Sequence, residues 1–216
     1  AEPAGIYGRF SDREMYEAIL RSDHPLFIGL AEELATALIE QGTELVAGDA
    51  IEGYNPVHDV CRLLIDAAVE LVWRRTSRRI ENWEFSLIGP PDSCPAPLRS
   101  QAMFLQLDVE MFGRKMVAAR QYSELIHEVA EALQTLSEDA FRVETLWPVV
   151  ARFGLNGPGD EPPYYERHGE SRVLAGVYAH VLRRRAHVLP IAAALRDAAG
   201  RETAPLADLE RHTVTE

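Results

Sequence analysis

The chain has 216 residues, of which 47% are apolar and 26% charged, and its net charge is -12. This composition is typical of a globular protein with a substantial core, and the negative charge argues against a nucleic-acid-binding surface. No run reaches the roughly 18 apolar residues of a membrane-spanning helix, and residues 1–4 do not resemble a signal peptide, so we expect a cytoplasmic protein. Lys115 is the only lysine among 22 basic residues, which suggests a bacterial source.

Local patterns predict five elements in the first part of the chain. Ser11 and Glu14 form a capping box ahead of a short helix, and Asp23 is a suitable N-cap for a second helix that stops at Gly42. Apolar runs predict strands, and apolar residues at helical spacing predict a helix between them. These ranges are a strand at 43–47, a helix at about 57–75 and a strand at 83–88.

The remainder of the chain is predicted to add one strand and further helices. The ranges are a strand at 103–107, helices at about 109–135, 138–150 and 170–195, and a Gly- and Pro-rich loop or hinge at 154–163. Helices that alternate with strands predict an α/β layered, mainly parallel sheet with flanking helices and a helical C-terminal extension. We therefore expect an α/β domain over 1–150 and a hinge with a helical extension over 151–216.

Ionisable residues cluster in the turn between the strand at 43–47 and the next helix. Open α/β sheets place their chemistry at such turns, beyond the carboxyl ends of the strands. His58 falls in the first helical turn, where the helix dipole is expected to lower its pKa and favour the neutral, metal-binding form. It is either a metal ligand or a histidine bonded to a backbone carbonyl. Asp49 and Glu52 either complete a site or are solvated carboxylates that cap the helix.

Three signatures, read together, resemble a known family. The segment Glu52-Gly53-Tyr54-Asn55-Pro56-Val57-His58-Asp59 follows a strand, Lys115 precedes Ala118, Tyr122 and Ser123, and residues 139–142 read Asp-Ala-Phe-Arg. In this order and spacing they resemble the motifs of the PIG-L/LmbE-type deacetylases: a Gly-containing turn with HPDH, a helix with Lys and Ser-Gln, and a closing Glu-x-Phe. The similarity covers roughly residues 30–150.

The resemblance implies a Rossmann-like fold and a single zinc ion that hydrolyses N-acyl groups, usually N-acetyl groups on amino sugars. His58 matches the zinc-binding histidine of the motif. Asn55 takes the place of a histidine that acts as general acid or steadies the oxyanion, and Val57 takes the place of an aspartate. An amide can donate a hydrogen bond to an oxyanion, but it cannot deliver a proton.

The first motif of that family, AHPDDE, does not occur in these 216 residues. In the family it supplies a His and an Asp to zinc and another Asp as general base, and a catalytic zinc needs about three protein ligands and an open position. Three explanations follow: the first βα unit is lost or lies outside this chain, other local residues substitute, or the domain has lost its metal. Two helices before the first strand favour the first explanation.

Aromatic residues are candidates for contact with a substrate. Tyr164, Tyr165 and Arg167 follow the loop at 154–163, and either fold over a pocket to contact a sugar, together with Tyr54, or anchor the C-terminal helix to the core.

Two other residue pairs favour structural roles. Glu124 and His127 have the spacing of a di-iron ligand pair, but that chemistry needs two such motifs, so a surface or packing role is favoured. Cys61 and Cys94 lie far apart in sequence and are expected to be reduced, buried thiols.

The resemblance thus implies a zinc-dependent N-deacetylase acting on an amino sugar or glycoconjugate. His58 is the expected ligand, Asp49 or Glu52 the ligand or base, and Asn55 the oxyanion donor. The alternative is a non-catalytic relative that binds a glycan or a partner protein, or one half of a site that another chain or a second copy completes.

Overall fold

The computed structural model describes residue 5 and residues 8–150, 153 and 161–201. No helix in these ranges is long and apolar enough to cross a membrane. The helices and strands, in chain order, are α1 Asp12–Leu20, α2 His24–Glu40, β1 Leu45–Asp49, α3 Pro56–Thr76, β2 Glu81–Phe85, β3 Met103–Gln106, α4 Val109–Gln121, α5 Ile126–Thr135, β4 Val143–Pro148, α6 Tyr164–Leu174 and α7 Leu189–Arg201.

The fold is α/β, with helices beside a mixed sheet whose strand order is β1-β2-β4-β3. β3 pairs antiparallel with β4, Met103 lying opposite Leu146, and part of the sheet is parallel.

The chain divides into two compact units. Unit 1 contains the described residues of 1–83 and 149–216, and unit 2 contains 84–148, so the boundary falls within β2. The domain division at residue 150 stays a prediction.

The helix starts that the sequence predicts are confirmed by side-chain caps. The Ser11 hydroxyl accepts from the N–H of Glu14, whose carboxylate accepts from the N–H of Ser11 at 2.8 Å. Asp23 accepts from the N–H of Leu26 at 3.2 Å at the start of α2. Such caps satisfy N–H groups that lack a partner within the helix. They are therefore local determinants, visible in the sequence itself.

Strand β1 begins later than the apolar run that predicts it. Gly42 takes a left-handed conformation with φ of 64°, and the N–H groups of Gly42 and Thr43 donate back to Ile39 and Leu38 at 3.1 Å. These bonds close the C-terminus of α2 in the manner of a Schellman cap. Residue 43 therefore belongs to the helix cap, and the strand starts at Leu45.

The prediction of one helix over 109–135 is wrong, because the segment forms α4 and α5 with a break between them. Tyr122 ends α4 in an extended conformation, with ψ of 95°, and a 3₁₀ turn at Ser123–Leu125 leads into α5. Neither Gly nor Pro occurs at the break, so the sequence carries no helix-breaking residue there.

Residues 138–150, also predicted to be helical, form a 3₁₀ turn at Glu138–Arg142 and then strand β4. Alternate residues Thr145 and Trp147 are buried, and the Trp147 indole donates to the Glu84 carboxylate at 2.9 Å. Pairing with β3, distant in sequence, therefore determines the conformation of a segment whose local apolar spacing is also compatible with a helix.

The single helix predicted over 170–195 is likewise wrong. α6 ends at Leu174, Gly176 follows in a left-handed conformation with φ of 71°, and one π-helical turn at Arg184–Val188 leads into α7. The valines of this segment accordingly do not share one buried face, since Val188 is 4% exposed whereas Val177 is 52% exposed.

A buried ion pair joins α3 to β2 within unit 1, beside a core formed chiefly by α2, α3 and α7. The guanidinium of Arg62 lies 3.1 Å from the Asp66 carboxylate, and both side chains are 1% exposed. Arg62 also donates to the carbonyl of Trp83 at 3.0 Å and to the Asn82 side chain at 2.6 Å. Asp66 accepts from the Asn82 amide and from the N–H of Phe153, each at 2.9 Å. Groups from three segments therefore bond to the pair, and Nε of Arg62 is the one polar side-chain atom of the pair left without a hydrogen-bond partner among the described residues.

We predict that Asp66→Ala lowers the free energy of unfolding by about 3–5 kcal/mol, because it leaves the Arg62 guanidinium buried without its carboxylate. Urea denaturation followed by circular dichroism measures this change. Arg13→Ala is the control, since Arg13 forms an exposed pair with Glu17 and exposed pairs contribute little. Equal losses in the two variants would contradict the assignment.

Candidate functional site

The candidate site is the turn between β1 and α3, with the start of α6 packed against it. Gly53 in this turn has φ of 66°, and a β-carbon there would lie 2.7 Å from the β-carbon of Pro163. Both backbone conformation and space therefore require glycine. The carbonyl of Gly53 also accepts from the N–H of Tyr165 at 3.3 Å, so the turn is bonded directly to α6.

The turn brings together two of the predicted site residues, His58 and Asp49. Asp49 is the last residue of β1, and its carboxylate is hydrogen-bonded to Nδ1 of His58 in the first turn of α3. The His58 side chain is 40% exposed and that of Asp49 is 20% exposed. Because Asp49 holds Nδ1, Nε2 is the ring atom that can exchange a proton with a ligand. A carboxylate in this position orients an imidazole and stabilises its protonated form.

The hydrogen bond that His58 makes to the Asp49 carboxylate raises the pKa of His58 above its ordinary value, against the opposing effect of burial. The negative charges of Asp49, Asp12 and Asp59 act in the same direction as this bond. The sequence-based prediction of a lowered pKa is therefore wrong. A helix terminus contributes only about 0.3–1 kcal/mol at an exposed site, and direct contact with a carboxylate outweighs it.

Asn55 is the N-cap of α3, and two donors fix its side chain. Its Oδ1 accepts from the N–H of Val57 at 2.9 Å and from the hydroxyl of Tyr16 at 3.4 Å. Both bonds use the oxygen end of the amide. The Nδ2 group is thus the end that remains to donate to a ligand.

Asp59 closes the turn from inside the protein, where it is 2% exposed. Its carboxylate accepts from the N–H groups of Glu52 and Gly53, each at 3.2 Å. Burial raises the pKa of Asp59 to about 6, although these two bonds and the charge of Arg184 act to lower it. The carboxyl is therefore a structural support of the turn that titrates below neutral pH.

Aromatic rings form a row beside the turn. Tyr54 stacks on Tyr164 with centroids 5.0 Å apart, Tyr164 stacks on His168 at 5.6 Å, and His168 meets Tyr178 edge-on at 6.4 Å. Tyr164 is thus stacked with two neighbours. Tyr54 lies at the end of the row and is 41% exposed.

The three predicted residues of α6 have different surroundings. Tyr164 and Arg167 lie at the surface, whereas Tyr165 is in the core, and its hydroxyl has no hydrogen-bond partner among the described residues. The adjacent Glu166 is also buried and accepts from the N–H of Arg184 at 2.7 Å. Only Tyr164 and Arg167 of the three are therefore accessible from solvent.

The two later signatures of the family resemblance meet within unit 2. Lys115 on α4 donates to the carbonyl of Phe141 at 3.0 Å and pairs with the Glu144 carboxylate at 2.6 Å. Tyr122 and Ser123 fall in the break between α4 and α5. Lys115 is thus engaged in contacts within unit 2.

The residues given structural roles from sequence are more exposed than expected. Cys61 is exposed and Cys94 is half-buried, so the prediction of buried thiols is wrong. Glu124 and His127 are both exposed, in agreement with a surface role.

Sequence reasoning missed two residues of α1 that affect the site. Tyr16 reaches Asn55, and the charge of Asp12 raises the pKa of His58. Both precede the turn by more than a full helix and strand, and no local pattern links them to it. Only the packing of α1 against α3 identifies them.

The described donors do not form a zinc site. Among the residues that the structure describes, no three His, Cys, Asp or Glu side chains are grouped so as to hold a metal ion. His58 and Asp49 are bonded to each other, and a catalytic zinc needs about three protein ligands. The side chains of this turn therefore fit a histidine–carboxylate pair rather than a complete metal centre.

No protein-family model matches the chain, and comparisons with curated proteins and with solved structures found no similar protein.

We predict that Asp59 makes stability depend on pH. Its folded-state pKa of about 6 exceeds the ordinary value of 3.8, so the folded protein holds this proton more tightly than the unfolded chain does. The resulting stabilisation is fully present below about pH 4 and is lost as the pH rises through about 6, by roughly 3 kcal/mol. Thermal unfolding between pH 4 and 8 measures it.

Asp59→Asn should remove most of this pH dependence and raise the melting temperature at pH 7.5, because an amide oxygen can still accept from the turn. Asp92→Asn, at an exposed position, is the control and should leave the pH dependence intact. A wild-type pH dependence that persists in Asp59→Asn would contradict the role of Asp59.

Proposed function

We propose that this chain hydrolyses the amide bond of an N-acetylated amino sugar or glycoconjugate at the turn between β1 and α3. The observation that carries the proposal is the bonded pair of His58 and Asp49, which lies in the same turn as an Asn55 amide whose oxygen end is fixed. The pair supplies a base for the attacking water and the amide supplies a donor for the developing oxyanion, two of the groups that acyl transfer to water uses. The resemblance to the PIG-L/LmbE-type deacetylases, which implies a Rossmann-like fold, supports the same reaction.

His58 is the base in this proposal. Its Nε2 takes a proton from the attacking water, and Asp49 stabilises the imidazolium that forms. The raised pKa of His58 makes the ring a stronger base, but one that must first lose its own proton. Glu52 lies in the same turn, but we assign the base to His58 because its orientation is fixed by a carboxylate.

Asn55 is the oxyanion donor. As the acyl carbon becomes tetrahedral, negative charge develops on the former carbonyl oxygen, and an oriented N–H group stabilises that charge. The bonds from Val57 and Tyr16 to Oδ1 hold the amide in one orientation without using Nδ2. The donor is therefore oriented before the substrate arrives.

Tyr54 is the residue that would bind the sugar ring. It ends the aromatic row and is 41% exposed, and an aromatic ring can pack against the apolar face of a sugar. Tyr164 supports Tyr54 from behind, and Arg167, also exposed on α6, supplies a positive charge for a substituent of the glycoconjugate. Tyr165 supports α6 from the core.

A second candidate is binding of a glycan without catalysis, or a site completed by a second chain. The absence of a three-ligand group among the described residues favours this candidate over a zinc enzyme that is complete in itself. The aromatic row and Arg167 would serve the same ligand in either case, so the two candidates differ in chemistry and share a binding surface.

We predict that His58→Ala lowers the rate of acetate release from N-acetylglucosamine by about a hundredfold or more, because it removes the general base. Asn55→Asp should lower the rate by a similar factor. Aspartate still caps α3 through its carboxylate oxygen, but it has no N–H to donate and repels the oxyanion. His180→Ala, at an exposed position outside the turn, should leave the rate unchanged. Variants that retain the wild-type rate would refute these roles.

We further predict that the chain alone binds zinc weakly and keeps its activity after dialysis against a chelator, since the turn offers a histidine–carboxylate pair where about three ligands are needed. Zinc titration by calorimetry, with His58→Ala as the comparison, measures this. One tightly bound zinc per wild-type chain that is lost in His58→Ala would overturn this prediction and establish the zinc-dependent form of the reaction.

A further inference from the structure

Amide hydrolysis needs a proton at the leaving nitrogen. An amine leaves a tetrahedral intermediate only when its nitrogen is protonated, because an alkylamide anion is too basic to depart. The imidazolium of His58 can return the proton that it took from water, whereas the amide of Asn55 has no acidic proton and the Asp59 carboxylate is buried and bonded to two backbone N–H groups. A second acid beside Asn55 would protonate the nitrogen without this transfer from His58.

Tyr16 on α1 is placed to be that acid. Its hydroxyl lies 3.4 Å from Oδ1 of Asn55 and is the side-chain hydroxyl that contacts Asn55. The ring packs against the core of unit 1 while the residue stays partly exposed, so the hydroxyl is held at the edge of the turn. We propose that Tyr16 is the general acid, and that it delivers a proton to the leaving nitrogen of the substrate whose oxyanion Asn55 holds.

The geometry of the Tyr16 hydroxyl suits this transfer. A distance of 3.4 Å is long for an O–H donor, whose bonds are usually about 2.7–2.8 Å, so little energy is lost when the proton turns to a substrate. The N–H of Val57 still holds Asn55 at 2.9 Å. Asn55 thus keeps its orientation while Tyr16 changes partner.

The acidity of a phenol also suits an amine leaving group. A phenol with a pKa near 10 is close in acidity to an alkylammonium ion, so proton transfer is nearly balanced in energy. Burial, the nearby Tyr178 and the charge of Asp12 raise the pKa of Tyr16, which keeps the hydroxyl protonated at neutral pH. The acid is therefore available over the range in which His58 acts as a base.

The complete step balances. Water gives a proton to Nε2 of His58 and forms a bond to the acyl carbon. The carbon–nitrogen bond then breaks, its electron pair goes to the nitrogen, and the nitrogen takes the proton of the Tyr16 hydroxyl. The products are acetate and an amine. The phenolate of Tyr16 regains a proton from solvent as the imidazolium of His58 loses one.

The inference rests on the proposed function, and a comparison of two substrates tests the inference and the proposed function separately. N-acetylglucosamine releases an amine that needs an acid, whereas p-nitrophenyl acetate releases a phenolate that does not. We expect Tyr16→Phe to lower kcat/KM for N-acetylglucosamine by about a hundredfold or more. For p-nitrophenyl acetate, the His58-dependent rate is the measured rate minus the rate of His58→Ala. Tyr16→Phe should change this His58-dependent rate by less than about threefold.

The other outcomes are distinct. Equal losses on both substrates would show that Tyr16 only positions Asn55, and no loss on either would remove it from the reaction; both results overturn the proposal. A wild-type chain whose hydrolysis of both substrates is the same as that of His58→Ala would overturn the proposed function itself, and the acid with it. Thermal melting of Tyr16→Phe, which keeps the packed ring, shows that the fold is intact.

Discussion

The buried pair of Arg62 and Asp66 is the constraint on which the position of the site depends. An ion pair in the interior needs hydrogen-bond partners for its remaining donors and acceptors, and the bonds from Arg62 and Asp66 to Asn82 and Trp83 hold α3 against β2. Gly48 lets β1 approach the same helix, since a β-carbon there would lie 2.6 Å from the Ile65 side chain and 3.4 Å from Arg62. The residue after Gly48 is Asp49, and this close approach brings it to His58.

The start of α3 shows how capping and chemistry share the same atoms. A helix start leaves N–H groups without partners, and Asn55 satisfies one of them with its oxygen while Asp59 satisfies two in the preceding turn. Serine, threonine or aspartate would cap α3 equally well. Only asparagine also carries an N–H₂ group, which in the proposed reaction is the oxyanion donor. The residue that ends the loop is thus suited to hold a substrate.

How far the sequence could predict the structure follows from the range of each interaction. Side-chain caps fix the first residues of α1, α2 and α3, the last of which begins at residue 56. In each cap the donor and the acceptor lie within four residues of each other in sequence. β4 could not be predicted in this way, because its conformation depends on pairing with β3. The break after α4 has no Gly or Pro to mark it. In the site, Asp49, Asn55 and His58 share one turn and were foreseeable.

Tyr16 was not foreseeable, because its contact with Asn55 joins residues 39 positions apart. The same distinction applies to charge. Position in the helix predicts a lowered pKa for His58, whereas a carboxylate from the end of β1 raises it. A direct ionic hydrogen bond is worth about 1.5–3 kcal/mol, which exceeds the contribution of an exposed helix terminus. Tertiary contacts therefore decide which protonation state of His58 is favoured, and the bond to Asp49 favours the protonated ring over the neutral one.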